Sequence, residues 1–129
     1  MKKFLFAMLA ICAMAFTFIS CENDLADEAT YPVAGHQYYI EAAGQYMEFQ
    51  FHKDFSVTLL IRKDGTTLTN DYIVWEMKNS KDLTLKGDSY SNVAGKVLYT
   101  GYYDAEKKSV FLTDAALNIT LEYKQVGNN

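Results

Sequence analysis

From Gly35 onward, apolar and polar side chains alternate with a period of two. Met47, Phe49 and Phe51 alternate with Glu48, Gln50 and His52, and Val57, Leu59 and Ile61 with Thr58, Leu60 and Arg62. Ile73, Trp75 and Met77 alternate with Val74, Glu76 and Lys78, and Ile119, Leu121 and Tyr123 with Thr120, Glu122 and Lys124. Successive side chains of a strand point to opposite faces. Each run therefore predicts a strand with one face on a core and the other in water. Trp75 is expected inside and its neighbour Glu76 outside. Shorter runs at 37–41, 83–86, 96–103 and 110–113 bring the predicted strands to eight. No stretch of this region carries a 3.6-residue period, so the expected fold class is all-β.

Turn-forming residues separate the runs: Lys53-Asp54, Lys63-Asp64-Gly65, Lys78-Asn79-Ser80, Gly87-Asp88 and Asp104-Ala105-Glu106. Asp and Asn close such turns by accepting from the backbone two residues on, and glycine supplies a positive φ. Connectors this short make sequence neighbours into sheet neighbours, which is an antiparallel meander. Longer loops fit only at 88–95 and 114–117. Eight meandering strands leave two open edges unless the sheet closes. The expected architecture is thus a small eight-stranded β-barrel, with a β-sandwich as the alternative. The inward set is bulky, Met47, Phe49, Phe51, Leu59, Ile61, Trp75, Met77 and Leu85, which favours a filled interior. If the barrel has an open mouth, Trp75, Phe49 and Tyr99 are the expected lining.

The chain starts differently. Lys2 and Lys3 are followed by an uncharged apolar run over 4–19, then Ser20-Cys21, then Glu22-Asn23-Asp24. A basic end, an apolar run shorter than the roughly 20 residues of a spanning helix and a small residue before a cut make a secretory signal. Phe18-Ile19-Ser20-Cys21 resembles the lipobox of bacterial lipoproteins, in the looser form found in Bacteroidetes. That resemblance implies cleavage before Cys21 and lipidation of its sulfur, with palmitate-type chains and a place in the cell envelope, at the outer membrane. The domain divisions expected are a signal at 1–20, a lipidated Cys21 with an acidic tether to 34, and a barrel over 35–126. Cys12 leaves with the signal and Cys21 is acylated, so the remaining domain has no thiol. Disulfides, thiol catalysis and cysteine-ligated metals are excluded there.

The meander and the segment Gly101-Tyr102-Tyr103-Asp104 followed by Val110-Phe111-Leu112-Thr113 add a second likeness. Together with the lipobox they resemble small lipocalin-like lipoproteins of Bacteroidetes. The resemblance implies a tethered barrel that binds a small ligand or a partner protein. The Gly-x-Trp opening of lipocalins has no counterpart at Gly35-His36-Gln37.

Charge narrows the partners. Without Lys2 and Lys3, ten basic side chains face sixteen acidic ones, a net charge of −6. Phosphate binding needs a basic face, so nucleic acid is an unsuitable partner. Membrane contact is expected through the lipid on Cys21 rather than through charge. Glu22, Asp24, Asp27 and Glu28 resemble a surface-export signal, or else form a solvated linker.

Catalytic motifs are missing. His36 and His52 have no third ligand at metal spacing. There is no Gly-x-Ser-x-Gly, phosphate loop or dinucleotide fingerprint. Most aspartates sit at turns, which explains them without chemistry. The expectation is a non-catalytic protein without cofactor or metal, with an envelope hydrolase or a purely protein-binding accessory module as alternatives. Ten tyrosines are the remaining oddity. Tyr brings contact area and a polar tip, so Tyr38, Tyr46 and Tyr102 are candidates for an outward binding face. Trp75 and Tyr99 complete the candidate contact residues.

Overall fold

In a computed structural model, residues 25–127 are described; the signal at 1–20, Cys21, Glu22 and Asp24 lie outside the described residues. Eight strands follow one another: β1 (Gln37–Ala42), β2 (Gln45–Phe51), β3 (Ser56–Lys63), β4 (Thr66–Lys78), β5 (Asp82–Gly87), β6 (Val97–Asp104), β7 (Ser109–Asp114) and β8 (Ile119–Gln125). Each pairs antiparallel with the next, and β8 returns to β1 to close a barrel. The barrel, not the sandwich, is the fold.

Local chemistry explains the meander. The β1–β2 turn is Ala43-Gly44 and the β3–β4 turn is Asp64-Gly65, all four at φ between 52° and 77°. Two-residue loops with both central residues at positive φ match the right-handed twist of the strands they join. Wider turns are tied by aspartate. Asp104 Oδ1 accepts from Glu106 N at 3.0 Å and Lys107 N at 3.1 Å. Asp114 Oδ1 does the same for Ala116 N at 2.8 Å and Leu117 N at 3.0 Å.

The interior is filled as the alternation requires. Phe49, Phe51, Val57, Leu59, Ile73, Trp75, Leu83, Leu85, Val110, Leu112 and Tyr123 are all buried. The outer phase carries Gln50, Thr58, Arg62, Glu76, Lys78, Thr84, Lys86, Glu122 and Lys124. A membrane-spanning barrel turns an apolar band outward. This barrel has its continuous apolar set within, and its outer phase is mostly polar, with Leu60, Val74 and Phe111 interspersed.

Two features depart from the expected pattern. β4 is 13 residues long, and its first half, 66–72, was not anticipated. Val57 pairs with Ile73 and Leu59 with Asn70, so Asp71 and Tyr72 together oppose Thr58 in a bulge. A bulge inserts one residue and switches the phase. The inward set passes from the odd positions Ile73, Trp75 and Met77 to the even positions Asn70 and Leu68, and a single period of two cannot follow it.

The second departure lies before β1. The segment expected to be tether as far as residue 34 packs onto one end of the barrel. Ala26, Val33 and Ala34 are buried with the core. Ala26 N donates to Lys53 O at 2.6 Å and Gly35 N to Phe51 O at 2.8 Å. The Tyr31 ring meets Phe55 at 5.6 Å and Trp75 at 5.7 Å, edge to face. Ser80 Oγ donates to Thr30 O at 2.8 Å from the β4–β5 turn. Acidic composition made the segment look solvated, yet it turns Ala26, Val33 and Ala34 onto the core while Leu25 stays exposed. It plugs the barrel.

Candidate functional site

Among the described residues, none plugs the opposite end. It is ringed by the ends of β1, β3, β5 and β7 and the starts of β2, β4, β6 and β8. There the register turns apolar side chains inward where no described residue covers them. Leu68 pairs with the inward Ile61, and Leu121 with the buried Leu112. Leu68, Ile119 and Leu121 are nonetheless 63%, 51% and 41% exposed. Apolar side chains on the lumen phase with that much water contact mark an open mouth.

Below the rim lies a hollow of about 370 Å³. Leu59, Ile73, Leu98 and Tyr99 form its apolar wall; Asn70, Lys96 and Asp114 supply its polar groups. β6 reaches it through a second irregularity. Leu85 pairs with Tyr99 but Lys86 pairs with Val97, so Leu98 is the extra residue and turns toward the core. Small-molecule sites combine such an apolar wall with a few polar groups in about 300–1,000 Å³.

The electrostatics of the floor are those of a dry aromatic cluster. Phe49 meets Tyr99 at 5.1 Å and Tyr123 at 5.0 Å, both edge to face. Tyr123 Oη donates to Met47 Sδ at 3.8 Å. Burial first, and the neighbouring Tyr99 and Asp114 after it, push the Tyr123 phenol up to about 12. Tyr99 is raised for the same first reason, with Asp114 second. Both phenols are therefore donors at neutral pH. Asp114 is spoken for on one oxygen by the turn at 115–118 and adds negative charge to the mouth. Lys96, just before the neighbouring β6, adds a positive charge to the same lining.

The expected contact residues divide accordingly. Tyr99 lines the hollow, and Phe49 backs it. Trp75 is inside, as its phase required, but at the plugged end, where Nε1 donates to His52 O at 2.9 Å. It does not line the mouth. Tyr38 was a candidate for the outer face and is instead fully buried in the lumen, edge to face with Phe51 at 5.7 Å. The outward tyrosine of β1 is Tyr39, stacked on Tyr46 at 5.5 Å, with the Arg62 guanidinium 5.0 Å over the Tyr46 ring. Tyr46 donates to Glu48, and Gln50 Nε2 donates to the other carboxylate oxygen at 2.7 Å. Tyr102 stacks on Phe111 at 4.9 Å on β6–β7. Tyr72 on β4 and Tyr90 in the 88–96 loop are the other exposed ones. Exposed tyrosines are thus spread round the barrel. Tyr38, Tyr99, Tyr103 and Tyr123 face the lumen, so much of the tyrosine excess is core and not interface. The polar mouth residues Asn70 and Lys96 carried no sequence signal.

The His52–Thr58–Asp71 relay on the outer wall does not have a catalytic order. His52 Nε2 lies 2.9 Å from Thr58 Oγ1, which donates to Asp71 Oδ1 at 2.7 Å. A nucleophile needs the imidazole between hydroxyl and carboxylate. Here the hydroxyl sits in the middle, bridging the β4 bulge. Among the described residues no group of three or more His, Cys, Asp or Glu is placed to hold a metal ion.

Compared with protein-family models, with curated proteins and with solved structures, the chain matches none.

Proposed function

We propose that this chain is a non-catalytic, lipid-anchored protein of the bacterial cell envelope whose barrel holds a small amphipathic ligand in its open mouth. The observation that carries the binding role is the asymmetry of the two ends. One is sealed by residues 26–34 and the aromatic set around Trp75; the other keeps apolar side chains in water above a ligand-sized hollow. The apolar part of the ligand would rest on Leu59, Ile73 and Tyr99. Its polar part would meet Asn70, Lys96 and Asp114 at the rim.

The anchor rests on the sequence: Lys2-Lys3, the uncharged run over 4–19 and Ser20-Cys21. Two acyl chains on Cys21, each buried CH₂ worth about 0.8 kcal/mol, hold a small domain on a bilayer. The barrel then needs no apolar outer band of its own, in keeping with its mostly polar exterior.

The test uses the full chain and the fluorescent probe 1-anilinonaphthalene-8-sulfonate. Ala116→Trp fills the hollow from an exposed turn position without touching the core. The wild type is expected to enhance probe fluorescence in a saturable way, and Ala116→Trp to lose most of it. Equal enhancement by both chains rejects the mouth as the site. Radiolabelled palmitate in the host tests the anchor separately: equal labelling of Cys21→Ala and wild type rejects it.

A further inference from the structure

β1 and β8 close the barrel, yet they are in register at two positions only, Tyr38↔Gln125 and Tyr39↔Lys124. Every other neighbouring pair is joined at five or more. The unused main-chain groups follow from the alternation of the ladder. Gln37 O accepts from Val126 N at 2.8 Å, whereas His36 O accepts from Phe51 N at 3.0 Å. Odd-numbered residues of β1 therefore present their amides and carbonyls to β8. Gln125 N donates to Lys108 O at 3.2 Å, on the β7 side. Even-numbered residues of β8 therefore present theirs to β1.

Continued two positions further, past Ile40 and Tyr123, the ladder would bond Glu41 to Glu122. Both carboxylates lie on the outer face, where like charges set directly opposite repel. The pairing stops short of that, and a hollow of about 280 Å³ opens along the seam, lined by Tyr39, Ile40, Glu41, Glu122 and Lys124. Neither glutamate has an ion-pair partner among the described residues. With Lys124 included, the lining keeps one net negative charge. The main-chain groups of Glu41 on one lip and of Glu122 and Thr120 on the other face a gap. On the inner side of the same lip, Ile119 and Leu121 are exposed.

We propose that this seam is a strand-addition site for an extended peptide that alternates basic and apolar side chains. An unpaired strand edge is a ready template for a further strand. Alternation supplies the rest. Side chains on the outer phase of an added strand fall beside Glu41 and Glu122, where a cation is favoured. Those on the inner phase fall on Leu121 and Ile119, where an apolar group is favoured. A second copy of this chain, adding its own β1 or β8 edge, would set glutamate against glutamate and is disfavoured by the same charges.

The experiment uses the full chain in nonionic detergent with two blocked hexapeptides, one alternating lysine and valine, the other glutamate and valine. Amide exchange and fluorescence anisotropy are read together. The basic peptide is expected to bind and to slow exchange at Glu41, Thr120 and Glu122, and the acidic one to do neither. Glu41→Lys replaces repulsion by attraction across the seam. It should slow exchange at residues 41 and 122 without any peptide and weaken basic-peptide binding by about tenfold or more. Glu41→Gln, which only removes charge at an exposed site, should fall between. Equal affinity for both peptides, protection elsewhere on the barrel, or undiminished binding to Glu41→Lys would overturn the proposal.

Discussion

At the scale of single residues, burial decides consequence, and Trp75 and Glu76 make the contrast cleanest. Trp75 packs on Tyr31, Phe51 and Phe55 and satisfies its indole N–H on His52 O. Trp75→Ala should cost about 3–5 kcal/mol through the cavity it leaves. Glu76 forms an exposed ion pair with Lys86 at 3.1 Å. Exposed pairs are worth little, so Glu76→Ala should stay within about 0.5 kcal/mol. Equal denaturant midpoints for the two variants would contradict the register. Trp75 was legible because Ile73 and Met77 share its phase, with Glu76 and Lys78 on the other. Tyr38 was misassigned although the information was present. Gln37, Tyr39 and Glu41 share one parity, Tyr38 and Ile40 the other, and a run of two tyrosines hides the step. What no residue reveals is height in the barrel. Trp75 and Tyr99 both point inward, but one lies under the plug and the other at the mouth, and only the register of the finished ladder separates them.

At the scale of elements, the strands were legible and their irregularities were not. The β4 bulge and the extra Leu98 in β6 change phase within a strand, and both border the mouth. Bulges re-aim side chains in this way near sites. Gly101 shows a different demand. It pairs with Leu112 between β6 and β7, and a Cβ there would lie 1.7 Å from Phe111 O. Gly101→Ala must therefore push β6 off β7, at about 3 kcal/mol, the upper part of the overpacking range. Gly44→Ala strains only φ, with open space around it, and should cost about 1–2 kcal/mol. Thermal melts in which the two variants lose the same stability would refute the close approach. The plug has its own control. Its Glu28 carboxylate bonds His36, and that bond, followed by the imidazole charge, holds its pKa below the ordinary 4.5. Gln125 Nε2 lies 2.9 Å from His36 Nδ1, tying the pair to β8. A depressed carboxylate contributes stability that is complete above 4.5 and lost as pH falls through its lower value. Amide exchange at Val33–Gly35, corrected for intrinsic rate, should quicken in that acid window and lose this step in Glu28→Gln.

At the scale of the whole molecule, the barrel is a closed wall around a lumen that contains phenols. Tyr38 Oη is buried with no hydrogen-bond partner among the described residues, and Tyr38, Tyr99 and Tyr103 are all raised above the ordinary 10 by burial first. Tyr46 and Tyr123 are pushed up to about 12, Tyr46 by burial and then by its bond to Glu48. The sign of the linkage follows. Between 10 and about 12 the unfolded chain has released protons that the folded barrel still holds, so folding loses stability as pH rises. The stability is fully present below 10 and is surrendered by several strands together, because the lumen phenols sit on β1, β6 and β8. Absorbance at 295 nm should therefore show a group of tyrosines ionising in one cooperative step, coincident with loss of the strand signal in circular dichroism. Tyr38→Phe keeps the ring packing, removes the orphaned hydroxyl and should move that step to higher pH. Complete tyrosine ionisation near pH 10 with the strand signal intact would mean that the lumen is wet, and the filled, one-ended barrel described above would not stand.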